Sequence, residues 1–149
     1  MLTMRKAAVL AASICLAYST PVLADDPWPN EEGDYVTVSM ISVDDGHDLE
    51  YMTHMAGQYR KGQDYAKAQG WISSYEILVN VNKRPGEPDY YLVTRFPRFA
   101  DKEEARKRDE AYFAHMQSTT AQMQAASGKR AEYRKVMGSQ LLRALVWKK

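Results

Sequence analysis

Cysteine is nearly absent from this chain: Cys15 is the only one in 149 residues. A single thiol closes no intramolecular disulfide, so stability has to come from a buried core. Histidine is scarce too, at three residues, and no HxH, HxxxH, HExxH or CxxC spacing occurs. Zinc sites need three or four convergent ligands, so no metal is expected. No GxSxG elbow and no glycine-rich phosphate loop is present, which removes the common serine-hydrolase and nucleotide signatures. Neither sign of charge dominates, with 20 Lys and Arg against 19 Asp and Glu. That balance gives no general case for binding nucleic acid. No apolar run approaches the roughly 20 residues that span a bilayer.

The N-terminus carries the three parts of a secretory signal. Arg5 and Lys6 supply its positive charge, Ala7 to Tyr18 an uncharged and mostly apolar segment, and Val22-Leu23-Ala24 the small or medium aliphatic positions before a cleavage point. Residues 1–24 are therefore expected to be removed, which places the protein in the periplasm or outside the cell. The apolar segment is too short for a membrane anchor, and Ile14 is too bulky for a lipobox ahead of Cys15. Cleavage would delete Cys15, Arg5 and Lys6, and turn a formal +1 into −1.

Residues 25–34 form an acidic, proline-containing leader read as a poorly ordered arm, and 35–149 one domain. Tyr35–Val43 alternates and is rich in β-branched residues, as in a strand. From Asp48, taken as a helix cap, Leu49, Met52, Ala56, Tyr59, Gln63 and Ala66 recur at helical spacing up to Gly70. Gly57 and Gly62 inside that helix suggest close packing on something flat. Trp71–Val81 and Tyr90–Phe96 read as strands joined by a Pro- and Gly-containing hairpin. A second helix is expected from Asp101 to about Ala126, opened by an Asp101-x-x-Glu104 capping box. A short helical turn over Arg130–Met137 and a last strand at Gln140–Trp147 complete the pattern. The order β-α-β-β-α-β predicts an α+β, ferredoxin-like fold, a four-stranded antiparallel sheet with two helices on one face. Apolar residues on both faces of the second and fourth strands predict that the other sheet face is covered as well, most simply by a second copy.

Over residues 35–148 this pattern resembles the dimeric α+β barrel superfamily, in which two ferredoxin-like subunits pack sheet to sheet. The resemblance implies a homodimer. It spans small monooxygenases, haem-degrading enzymes, chlorite-dismutase-like haem proteins, isomerases and members of no assigned activity. The oxygenase branches are associated with a strand Asn, a Trp and a helix His. Here the first strand has no Asn, Trp71 heads the second strand, and His115 is the helix counterpart.

Three readings of function follow. The first is a small exported protein that binds an apolar or aromatic molecule, needs no cofactor, and lines its pocket from Trp71, Tyr75, Tyr91, Tyr112 and Phe113; tyrosine offers an apolar body with a polar tip. The second is a cofactor-independent monooxygenase or isomerase, with His115 as acid–base and Arg95 steadying an anionic intermediate. The third is a haem binder with His115 as axial ligand. His47 and His54 are expected to face water. Ser127-Gly128-Lys129-Arg130 is read as a helix start able to hold an anion, and Glu76 and Arg95 as a cross-strand pair.

Overall fold

A computed structural model describes residues 26–149. The expected signal segment 1–24, with Cys15, lies outside the described residues. Strand β1 (Asn30–Val43) leads to helix α1 (Asp48–His54), a π-helical turn (Met55–Tyr59) and helix α2 (Arg60–Ala68). Strands β2 (Ser74–Val79) and β3 (Tyr90–Phe96) follow, then helices α3 (Lys102–Met116) and α4 (Thr120–Arg130), and strand β4 (Arg134–Trp147). The strands form one antiparallel sheet in the order β2-β3-β1-β4. This is an α+β arrangement compatible with a ferredoxin-like fold, with more helical segments than the two expected.

The core lies between the sheet and α1. Ile41 and Val43 of β1 and Tyr90 of β3 meet Tyr51 and Met55, with Tyr133 closing one side. Tyr51, Met55, Tyr59 and Gly62 mark the inward face of the helical run. Two successive spacings of four exceed the 3.6 residues of an α-turn and fit the wider π turn. The expected stripe is therefore displaced: Leu49 is 81% exposed, whereas Tyr51 and Met55 are buried. Asp48 does not cap α1, whose N-cap is His47 without a side-chain bond. Its carboxylate instead accepts from the Tyr90 hydroxyl at 2.8 Å, tying the helix start to β3.

Strand β2 covers only Ser74–Val79 of the expected Trp71–Val81, and three other boundaries differ from expectation. β1 begins at Asn30, because Asn30–Glu32 pair with Leu145–Trp147 and so fill backbone bonds of β4. Part of the leader read as a loose arm is thus strand, and Lys148 fastens the rest: its backbone N–H donates to the Pro29 carbonyl and its ammonium to Asp26. The expected second helix is two helices. Asp101 caps α3 by accepting from the Glu104 N–H at 2.8 Å, while the Glu104 carboxylate turns to Arg98 and Arg108 rather than back to the cap. Gln117 adopts a left-handed conformation at φ 51°, and Thr119 with Gln122 forms a full capping box that restarts the helix as α4. Finally, Arg134 already belongs to β4, so the expected turn of helix after Arg130 is strand from its fifth residue on.

The sheet face away from the helices carries Val36, Val38 and Met40 of β1, Leu78 of β2, Tyr91 and Val93 of β3, and Leu142 and Val146 of β4. Val36 and Val93 are buried at its centre, but Leu78, Leu142 and Val146 remain about half exposed. Glu76 and Arg95 form their pair on this face, at 3.1 Å.

Candidate functional site

Where the helices meet, one cleft of about 510 Å³ opens. Its first wall is the junction of α1 and the π turn, with His54, Gln58 and Tyr59; its second is α3 and α4, with Tyr112, Met116, Gln122, Met123, Ala126 and Arg130. Gln117 and Ser118, at the break between α3 and α4, close one end. Gly62 matters to the site, because it lets the Tyr112 ring lie against α2; an added Cβ would meet the ring carbons at 3.0 Å.

The chemistry of the cleft is mixed. Tyr59, Tyr112, Met116, Met123 and Ala126 offer apolar surface, and the glutamines offer amides. Burial raises the hydroxyl pKa of Tyr59 and that of Tyr112. Both hydroxyls therefore stay neutral. Burial, and then the positive charges of Arg130 and Arg134, lower the His54 pKa. Its imidazole is thus neutral at neutral pH, a hydrogen-bonding group rather than a cation. Arg130 is also made less basic by burial, and next by Arg134.

The expected site residues are scattered. Tyr112 alone among them lines the cleft. Trp71 packs edge-on to Tyr65, with the Arg108 guanidinium 5.7 Å from its ring centre. Tyr75 meets Tyr59 edge-on and donates to Asp64 at 2.6 Å. Phe113 borders a separate, more open depression at the junction of α3 and α4, and Tyr91 lies on the far face of the sheet. His115 is exposed and stacked flat on Tyr65, ring centres 4.0 Å apart. Arg95, paired with Glu76, is on the opposite side of the sheet. Among the described residues, the two groups offered for acid–base work and anion stabilisation are thus apart, His115 on α3 and Arg95 on the sheet face away from the helices.

Two further expectations are corrected. His54 does not face water; the displaced stripe turns it into the cleft, half-buried. Ser127-Gly128-Lys129-Arg130 ends α4 instead of starting a helix, so its backbone presents carbonyls and not free N–H groups. Among the described residues no three His, Cys, Asp or Glu side chains are grouped to hold a metal, and no helix is long and apolar enough to cross a membrane. Compared with known proteins, the chain matches no family model, no curated protein and no solved structure.

Proposed function

We propose that this is an exported binding protein that holds a small, partly aromatic molecule in the cleft between the π turn and α4. The observation that carries this is the cleft itself. Its volume is within the range of small-molecule sites, and aromatic and methionine side chains set against a few polar groups are the usual lining of such sites. The π turn adds support, since such turns recur where a helix is shaped for a ligand.

The test uses N-phenylnaphthylamine, a neutral aromatic dye that brightens in apolar surroundings. It should bind saturably to the wild-type protein, and Ala126→Trp, which fills the cleft, should abolish binding without lowering the melting temperature. Binding unchanged in Ala126→Trp would refute this reading.

The fold is taken as a ferredoxin-like variant, and the apolar sheet face as the seat of a second copy in the manner of the dimeric α+β barrels. Leu78, Leu142 and Val146 support that pairing by being large, apolar and exposed on one surface. Export rests on the order of Arg5-Lys6, the apolar segment and Val22-Leu23-Ala24. Intact mass of protein recovered from the periplasm should begin at Asp25; a retained Met1 would refute cleavage.

A further inference from the structure

The cleft holds one cationic side chain that nothing in the described protein neutralises. Every other described arginine outside this region, from Arg60 to Arg143, has a carboxylate partner. Arg130 and its neighbour Arg134 have none among the described residues; the Nε of each is buried without a hydrogen-bond partner, as it is in Arg108 and Arg143, but those two have a carboxylate on the guanidinium and Arg130 and Arg134 do not. Charge left unpaired in partly buried surroundings is costly, so arginines are normally paired when enclosed. The cleft lining contains no Asp or Glu at all. No carboxylate figures among the groups that influence Arg130; Arg134, Tyr133 and Tyr51 do.

The position of Arg130 sharpens this. The carbonyls at the end of α4 favour a cation there, which explains why an arginine is tolerated. They do not complete its hydrogen-bonding fork. The apolar wall of Tyr59, Tyr112, Met116 and Met123 lines the same cleft, and the neutral His54 stands on the facing helix. One guanidinium with one uncharged imidazole matches a single negative charge.

We infer that the cleft selects a monovalent organic acid, its carboxylate on Arg130 with His54 as a second hydrogen-bonding group, and its apolar or aromatic body between Tyr59 and Tyr112. This rests on the binding function proposed above and specifies its ligand class. Arg130 is a binding residue in this scheme; Arg134, outside the cleft lining, adds positive potential behind it.

Competition against bound N-phenylnaphthylamine tests it, using naphthoate and naphthamide, which share a ring system and differ in charge. In the wild type naphthoate should compete about tenfold better than naphthamide, as a charge-assisted guanidinium–carboxylate contact implies. Arg130→Gln should erase that preference and leave naphthamide nearly unchanged, while Arg130→Lys should keep part of it. Added salt should weaken naphthoate and spare naphthamide, a readout that needs no variant. Equal competition by the two probes in the wild type, or failure of both to compete, overturns the inference while dye binding upholds the cleft. Failure of the dye to bind the wild type before any competitor is added would instead refute the binding function.

Discussion

Gly62 of α2 and Tyr112 of α3 are in direct apposition: the tyrosine ring occupies the place where a side chain on the glycine would be. Gly62→Ala should therefore destabilise the protein despite the better helix propensity of alanine, and should push Tyr112 and weaken dye binding. Gly57, about a turn and a half earlier, has nothing within 4 Å of the point where a methyl group would stand. Gly57→Ala should then stabilise by about 1 kcal/mol, the ordinary propensity gain. Urea unfolding of the two variants checks both signs; a stabilising Gly62→Ala would show that the close approach is not real.

Thr119 decides where α4 begins. Its hydroxyl accepts from the Gln122 N–H at 3.2 Å and its own N–H donates to the Gln122 side chain at 2.8 Å. Thr119→Ala should cost about 1 kcal/mol in urea unfolding. Because Gln122 and Met123 line the cleft, the same change should weaken dye binding. An unaltered unfolding midpoint would count against the restart at Thr119.

His54 makes stability depend on pH. Its pKa in the folded protein lies below the ordinary 6.5, first through burial and then through Arg130 and Arg134. The unfolded chain thus takes up the proton more readily than the folded one. Stability from this group is present in full above about pH 6.5 and falls as pH drops from there through the folded pKa. Urea unfolding should show a wild type that weakens between about pH 7.5 and about pH 5 more than His54→Gln does. Equal weakening would remove His54 as the cause.

The sheet face away from the helices gives a prediction about assembly. Leu142 is 49% exposed there, opposite Val36 of β1. If a second copy covers this face, the wild type should sediment as a dimer, and Leu142→Glu should weaken association by at least about tenfold, since a charge would be carried into the seam. A wild type that sediments only as a monomer would rule the pairing out.

Strand β3 is legible in the sequence to the residue, since Tyr90–Phe96 is β-branched and aromatic and stops at Pro97. The faces of β2 and the Glu76–Arg95 pair are legible for the same reason: a period of two leaves little freedom. The cleft is much less so. Its first wall follows a π turn, which no residue type announces; Tyr59 falls on the expected stripe, but His54 is half-buried where the 3.6-residue reading turns it to water. Its second wall is interrupted at Gln117, where a non-glycine residue takes a left-handed conformation. Thr119-x-x-Gln122 is a readable signal for the restart, hidden inside a stretch whose apolar spacing continues across it. Arg130 stands out by its charge, but sequence reasoning puts it at the wrong end of a helix. Its lack of a partner is a property of three dimensions only.

The pairing of β1 with β4 has a consequence for how the molecule comes to be folded. β1 is the first strand of the described chain and β4 the last, yet they share the longest ladder in the sheet. Such distant pairing is slow to form, because a large loop must close before the contacts reward it. Until the final residues arrive, β1 keeps one edge open and its valines bare, a state prone to joining other chains. Residues Leu145 to Trp147 are thus the clasp of the fold, and a chain cut short by a few residues at that end should aggregate before it could bind anything.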